Sequence, residues 1–148
     1  MEISPEVKNR IDRVLDSQSI AVLGTSKDGE PYSCLVGFAF TDDLKEFVFA
    51  TMRQRLKYRH MKANPRVTLM IDDRNVQDSD FNDTTSLTVV GSTKDITGKE
   101  RGRYASLLLD QHPVLTEFVN SPDCAVMKVT VDKIYVVSEF ESVAKIGV

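Results

Sequence analysis

Short runs of apolar and β-branched residues, separated by residues that favour turns, recur along this sequence and restrict it to folds built largely from β-strands. Seven such runs are present, at residues 19–25, 31–40, 47–51, 66–71, 86–96, 124–131 and 133–140. The first two flank Asp28-Gly29, a pair that favours a tight hairpin turn. A second tight turn is predicted at Asp132-Lys133, between the last two runs. We therefore expect six or seven strands, most of them joined by short turns.

Helical periodicity is confined to three or four segments. Ser4 followed by Pro5 is a typical helix start, and apolar residues then recur on one helical face at Val7, Ile11, Val14 and Leu15. Further helical segments are predicted within residues 97–113 and 114–119, and in the stretch that ends before Asn64-Pro65, because proline disfavours helical geometry at the residue before it. Strands that outnumber helices and connect through short turns predict a mostly antiparallel sheet closed into a barrel.

The 148 residues suit a single domain, and a composition of 41% hydrophobic and 28% charged residues is that of an ordinary globular protein. No apolar run is long enough to cross a bilayer and no charged-then-apolar leader is present, so we expect a cytoplasmic protein that does not contact membranes. Cys34 and Cys124 lie far apart, without a CxxC pair or a neighbouring His or Cys at metal-ligand spacing. The sequence therefore predicts neither a metal site nor a disulfide framework.

Several catalytic and cofactor motifs are absent from the sequence. Neither GxGxxG nor a Walker-type loop occurs, which argues against the usual dinucleotide and nucleoside-triphosphate cradles. His60 and His112 are the only histidines, and neither has a nucleophile–base pattern around it. Residues 78–83 imitate the start of a calcium loop, but Asp83 stands where the loop needs glycine and Val89 where it needs a bidentate glutamate. We expect a solvated acidic loop there.

Positive charge is concentrated in residues 50–71, within a chain that is acidic overall. This stretch holds six Arg or Lys residues and no Asp or Glu, so the 13 basic and 22 acidic residues elsewhere carry a formal charge of −9. A compact anion is the expected partner, because the acidic surroundings would repel a nucleic acid beyond this short patch. The chain enters a helix between Arg53 and Leu56, and a helix N-terminus flanked by cations is itself an anion site. A solvated charged face is the alternative interpretation.

The same basic stretch carries a resemblance to a known family. Residues 47–71, FVFATMRQRLKYRHMKANPRVTLMI, resemble the flavin-mononucleotide-binding split-barrel family that includes pyridoxamine 5'-phosphate oxidase, in which a strand end, a basic turn, a helix and Asn-Pro-Arg-Val follow one another. DGEPYSCLVGFAF upstream, and SLTVVGSTKDI and CAVMKVTVDKIYVV downstream, are similar to other strands of that family. The resemblance covers roughly residues 10–140. It implies one domain over residues 1–148, mostly β with helices: an antiparallel split β-barrel of six to seven strands flanked by three to four helices.

The resemblance also implies a set of residues that bind flavin mononucleotide (FMN). Lys57 matches the family's phosphate-binding lysine, and Ser86 falls where a polar side chain reaches the edge of the flavin ring, commonly from the other subunit of a dimer. Either Arg53 or Arg55 is expected to add a second cation at the phosphate. The full set of expected cofactor-binding residues is Cys34, Leu35, Val36, Ala50, Thr51, Arg53, Arg55, Lys57 and Ser86.

The implied function is that of an FMN-dependent oxidoreductase acting on an unidentified small molecule, as a homodimer with the cofactor at the subunit interface. Leu56 and Cys34 stand where the oxidase has cations, and its C-terminal basic segment has no match, so oxidation of vitamin B6 is not expected. The alternatives are an FMN- or haem-binding protein without turnover, since Gln111-His112-Pro113 resembles haem-degrading relatives, and a deazaflavin-dependent reductase. Flavin would supply the redox chemistry, and the sequence assigns no catalytic acid, base or nucleophile.

Overall fold

The computed structural model describes residues 3–74, 84–138 and 142–148. The acidic segment 78–83, whose sequence argues against calcium binding, lies outside the described residues. The strands are β1 (Ile20–Lys27), β2 (Glu30–Phe40), β3 (Glu46–Met52), β4 (Arg66–Asp72), β5 (Thr85–Asp95), β6 (Cys124–Ser138) and β7 (Ser142–Gly147). The helices are α1 (Pro5–Ser17), α2 (Leu56–Ala63), α3 (Lys99–Gln111) and α4 (Thr116–Val119), with a 3-10 turn at Pro113–Leu115. None of the helices in the described ranges is both long and apolar enough to span a bilayer.

The sheet closes into an antiparallel barrel of six strands with one strand added at its side. Its order is β3-β2-β1-β4-β5-β6-β7, and a further pairing of β3 with β6 joins the two ends of the six-stranded part. The turn between β1 and β2 has the predicted geometry, because Asp28 and Gly29 both adopt positive φ angles, 51° and 81°. The predicted fold class, a split antiparallel barrel with flanking helices, is confirmed.

Two details of the last strands differ from the sequence prediction. The predicted turn at Asp132-Lys133 is wrong, because β6 runs through both residues as one continuous strand. Its pairing with β5 shifts there: Val90 lies opposite Lys133 but Gly91 lies opposite Val131, so Asp132 is the extra residue of a β-bulge. A polar residue placed in a bulge produces the same local sequence signal as a turn. The additional strand β7, which pairs with β6, was not predicted.

The barrel interior and one outer face form two separate hydrophobic cores. Ile11, Val14 and Leu15 of α1 join the interior cluster, as the helical periodicity predicts, and the Ser4 hydroxyl accepts a hydrogen bond from the Val7 amide at 3.3 Å at the start of that helix. The second cluster forms where α3 covers the outer face of the sheet, with Leu108 fully buried against it. This arrangement leaves the ends of β2 and β3, next to α2 and α4, as an open part of the surface.

Candidate cofactor site

A groove opens where β2 and β3 separate. The two strands are paired only between residues 38–40 and residues 47–49 of the described chain. Beyond this point β2 continues with β1 as far as Glu30, and β3 continues with β6 as far as Met52. The space between them forms a groove of about 480 Å³. It is lined by Tyr32, Leu35, Val36, Gly37, Ala50, Thr51, Met52, Gln54, Arg55, Leu56, Lys57, Leu115 and Phe118.

One end of the groove is basic and lies at the start of α2. Arg55 occupies the N-cap position with extended backbone angles, yet its side chain makes no capping hydrogen bond, and the first turn holds no acidic residue. The carbonyl of Arg55 accepts the amides of Tyr58 and Arg59, whereas the amides of Leu56 and Lys57 have no partner among the described residues. Free amides and the helix dipole attract an anion here. Arg55 and Lys57 add their charges to the same end of the groove.

Another part of the groove lining is apolar. Leu35 projects from the outer face of β2 and is 67% exposed, and Phe118 of α4 is 37% exposed. Gly37 brings the backbone of β2 close to this wall, since a Cβ atom at that position would lie 3.4 Å from Cδ1 of Leu115. The groove lining therefore combines apolar side chains with the basic start of α2.

Cys34 lies beside the groove without lining it. It is half-buried and packs against the interior core, and both cysteine thiols of the chain are free. Burial raises the pKa of the Cys34 thiol, and the nearby charge of Lys57 only partly opposes this increase. The thiol is therefore protonated at neutral pH, which makes it a poor nucleophile.

Arg53 points away from the groove, into contacts with other segments. Its Nη2 lies 3.4 Å from both carboxylate oxygens of Asp95, and its Nη1 donates to the carbonyl of Cys124 at 3.1 Å. The sequence did not decide whether Arg53 or Arg55 would lie at the expected phosphate site, and Arg55 is the one that lines the groove.

Ser86 lies on β5, opposite Asp72 of β4 and Val137 of β6, and does not line the groove of its own chain. Both histidines are also engaged elsewhere. His60 is buried with Nδ1 3.1 Å from the Thr25 hydroxyl, and His112 places Nε2 against the carbonyl of Phe38.

The structure thus brings six of the nine expected residues together in one groove: Leu35, Val36, Ala50, Thr51, Arg55 and Lys57. Cys34, Arg53 and Ser86 lie outside its lining. The sequence did not predict the wall formed by Leu115 and Phe118, because that helical segment is distant in sequence from the strands beside it. No local pattern in the sequence indicated this wall, because the exposure of Phe118 is seen only in the folded chain.

Comparisons with known proteins agree with the observed fold. The family model described as pyridoxamine 5'-phosphate oxidase matches residues 7–138, whereas no curated protein sequence matches the chain. A heme-binding protein from Mycobacterium smegmatis superposes with a TM-score of 0.84 at 15% identity, over 99% of this chain and 60% of that one, so this chain spans about 60% of its length. A Clostridium acetobutylicum protein related to general stress protein 26 gives 0.75 at 18% identity, over 99% and 97% of the two chains. A FAD-binding protein from Mesorhizobium loti gives 0.65 at 20% identity, over 87% and 90%.

These structural likenesses establish the fold, and the family match extends over most of the sequence, including both strands of the groove and the whole of α2. The chain therefore belongs to the pyridoxamine 5'-phosphate oxidase family.

Proposed function

We propose that this protein binds FMN in the groove between β2 and β3 and acts as a flavin-dependent oxidoreductase on a small molecule. The observation that supports the proposal is the polarity of the groove. Arg55, Lys57 and the uncapped start of α2 form its basic part, and Leu35, Leu115 and Phe118 form its apolar part. FMN has the matching division, a phosphate at one end and an apolar ring at the other.

The chemistry expected from the chain itself is limited to binding and orientation. Bound flavin would supply the electron transfer. Arg55 and Lys57 would hold the phosphate, while Leu35, Leu115 and Phe118 would shield the ring from water. Among the described residues the lining contains no Asp, Glu, His or Cys, so this side of the groove offers no carboxylate, imidazole or thiol as a catalytic acid or base.

Haem binding is a second candidate, since a structural neighbour is described as a heme-binding protein. Histidine, cysteine, methionine and tyrosine side chains are the usual axial ligands of haem. In this chain His60 and His112 are bonded elsewhere, and Cys34 does not line the groove. Met52 and Tyr32 are the remaining lining residues of these types. Arg55 and Lys57 could bind haem propionates as well as a phosphate, so the observation that favours FMN is that the described lining contains no His or Cys to ligate iron.

Titration of the purified chain with FMN, riboflavin, haem and a deazaflavin would test the proposal. We expect FMN to bind more tightly than riboflavin, because only FMN has a phosphate for Arg55 and Lys57, and we expect bound FMN to be reducible and reoxidised. Haem binding is detected by its Soret band, and saturation by haem at a lower concentration than FMN requires would favour the haem candidate. Tighter binding of the deazaflavin, recognised by its ultraviolet-shifted absorbance, would favour the deazaflavin reductase. Binding of none of these ligands would contradict the proposal.

A second copy of the chain is the proposed partner. Large apolar side chains are exposed on the elements that line the groove, among them Leu35 (67%), Leu56 (40%), Val114 (90%) and Phe118 (37%). Exposed apolar surface of this kind marks an interface. In a homodimer that covers it, Ser86 is the residue expected from the second subunit, because it lies away from the groove of its own chain.

Dilution of the FMN-loaded protein should release the cofactor as the dimer dissociates, since a ligand that binds only the dimer stabilises it by mass action. Analytical ultracentrifugation with detection at the flavin band would follow both events. A monomer that keeps all of its flavin would contradict the proposal of an interfacial site.

A further inference from the structure

A partly buried polar network lies at the start of α2, next to the basic residues of the groove. The Tyr58 hydroxyl donates to Oδ2 of Asp95 at 2.8 Å, and Arg53 contacts the same carboxylate at 3.4 Å. The Arg53 guanidinium also donates to the carbonyl of Cys124, which receives a second bond from Arg101 at 3.3 Å. We call the side chains of Arg53, Tyr58 and Asp95 the anchoring triad.

The anchoring triad joins three segments that are distant in sequence. Arg53 belongs to the link between β3 and α2, Tyr58 to the first turns of α2, and Asp95 to the end of β5. The backbone adds to this connection, because the Arg53 amide donates to the carbonyl of Asp123 at 2.9 Å, just before β6. The start of α2 is thereby tied to the ends of two strands of the barrel.

The triad holds both sides of the basic end of the groove. Arg55 and Lys57, the two cations that line it, lie between Arg53 and Tyr58 in the sequence. The free amides of Leu56 and Lys57 lie in the same interval. The carboxylate of Asp95 therefore contacts a residue on each side of the segment that holds Arg55, Lys57 and the two free amides. Tyr58 is only 7% exposed, so the hydroxyl contributes through its bond with Asp95 and not through contact with a ligand.

We propose that Arg53, Tyr58 and Asp95 are positioning residues, which hold Arg55, Lys57 and the amides of α2 in the geometry that binds the phosphate. The inference rests on the proposed FMN site and assigns to Arg53 a role different from direct phosphate binding. The ion pair with Asp95 already engages its guanidinium, and both partners are partly shielded from water, with side-chain exposures of 35% and 22%. A donor set that is fixed before the ligand arrives loses less entropy on binding.

Tyr58→Phe tests this role without changing any charge. Loss of the bond with Asp95 should loosen the start of α2 and weaken FMN binding about threefold to tenfold, the range expected for one hydrogen bond. Riboflavin, which has the same ring and no phosphate, should bind within about twofold of its original affinity because the apolar end is untouched. Isothermal titration of both ligands gives the ratio of the two affinities, which a general loss of stability would not change.

Tyr104→Phe is the matched control. Tyr104 lies on α3, outside the groove lining, and is buried to a similar degree, at 4% exposure. Its hydroxyl donates a hydrogen bond to Oε2 of Glu46 at 2.9 Å. This variant should lose a similar amount of stability in urea unfolding and keep the original ratio of FMN to riboflavin affinity. If both Tyr→Phe variants change the ratio equally, or if Tyr58→Phe weakens both ligands equally, the positioning role is wrong.

Asp95→Asn gives an independent test, because the two possible roles of Asp95 predict opposite changes in FMN affinity. Removing this negative charge makes the basic end more positive, so a purely electrostatic role predicts tighter FMN binding, whereas loss of the anchor predicts weaker binding. Weaker FMN binding with unchanged riboflavin binding supports the inference, and tighter FMN binding overturns it. A wild-type protein that binds no flavin would contradict the proposed function itself, and a wild-type protein that binds FMN while the Tyr58→Phe ratio is unchanged would contradict only the positioning role.

Discussion

Lys57 and Arg55 differ from the other cations of α2 in where they lie. Both line the groove next to the free amides of the first turn. Arg59 donates to the carbonyl of Gln54 and Lys62 lies 5.9 Å from the centre of the Tyr58 ring, so neither belongs to the lining. The positive charge concentrated in residues 50–71 therefore separates into four different surroundings: the groove, the anchoring triad, the remainder of α2, and the start of β4, where Arg66 pairs with Asp132.

Lys57→Ala should weaken FMN binding and leave riboflavin binding almost unchanged. Removal of one charge-assisted hydrogen bond to the phosphate is expected to cost about 1.5 to 3 kcal/mol, or about ten- to a hundredfold in affinity. Arg55→Ala should behave similarly. Arg59→Ala is the control, since its side chain lies outside the groove. Fluorescence titration with both ligands measures the difference, and equal losses for FMN and riboflavin would show that Lys57 supports the fold instead.

Two buried tyrosines predict how stability responds to alkaline pH. Burial raises the pKa of the Tyr58 phenol, and the hydrogen bond to Asp95 raises it further. Burial and the bond to Glu46 act in the same direction on the pKa of Tyr104. Above about pH 10 the unfolded chain loses phenol protons that the folded chain keeps, so the free energy of unfolding should fall as pH rises through this range.

Urea unfolding at increasing pH would measure this decrease. Stability from the two phenols should be complete below their unfolded pKa of about 10 and be lost as pH rises towards the higher folded values. Tyr104→Phe should reduce the slope, because phenylalanine does not ionise. A slope that is unchanged in both Tyr58→Phe and Tyr104→Phe would contradict the assignment.

At the scale of the element, α2 has a start that is poor for a helix and suited to an anion. Arg55 occupies a position where Ser, Thr, Asp or Asn is preferred, and its extended backbone angles, φ −75° and ψ 151°, are those of an ordinary N-cap. The helix accordingly lacks both a side-chain cap and a favourable charge in its first turn. Binding of a phosphate would satisfy both needs, so this local instability has a functional explanation.

Arg55→Asp should therefore have opposite effects on stability and binding. An aspartate at the N-cap can accept a first-turn amide and should stabilise the ligand-free protein by about 1 kcal/mol, while it repels the phosphate and occupies its donors. Arg59→Asp, which makes the same change of charge in the middle of α2, should bring no gain in stability and a smaller loss of FMN affinity. Thermal unfolding and FMN titration of both variants would decide. A destabilised Arg55→Asp protein would contradict this account of the helix start.

At the scale of the whole molecule, the site depends on a barrel that closes on one side and opens on another. Pairing of β3 with β6 closes the barrel over seven residue pairs, from Glu46 with Thr130 to Met52 with Cys124. The β5–β6 bulge next to Gly91 lets two long strands remain paired while the barrel curves. Because β3 stays with β6 and β2 stays with β1, the two strands separate at the groove.

Gly91→Ala should destabilise the whole barrel more than Gly24→Ala does. A Cβ atom at position 91 would lie 2.2 Å from the carbonyl oxygen of Thr130, a backbone atom that cannot move alone, whereas one at position 24 would lie 2.4 Å from the Thr68 hydroxyl, which can rotate away. Overpacking of this kind costs about 1 to 3 kcal/mol, and we expect Gly91→Ala at or above the top of that range. Urea unfolding of both variants measures the order, and a smaller cost at position 91 would contradict it.

The sequence by itself determined the features that depend on neighbouring residues. The turn at Asp28-Gly29 and the cap at Ser4 require only backbone preferences and hydrogen bonds within a few positions. Alternating apolar residues likewise indicated the strands, and the order of motifs indicated the family. Asp132 shows the limit of such signals, because a polar residue in a bulge and a polar residue in a turn look the same until the pairing partner, here β5, is known.

Only the tertiary structure decided which cations face the groove and what forms its other wall. Arg53 and Arg55 are two residues apart and chemically identical, and the difference between them arises from Asp95 and the carbonyl of Cys124, which come from distant strands. Leu115 and Phe118 line the same groove as Leu35 only because this distant segment packs beside the separated ends of β2 and β3. Contacts between distant segments are set by the packing of the whole barrel, and no local pattern of residues encodes them.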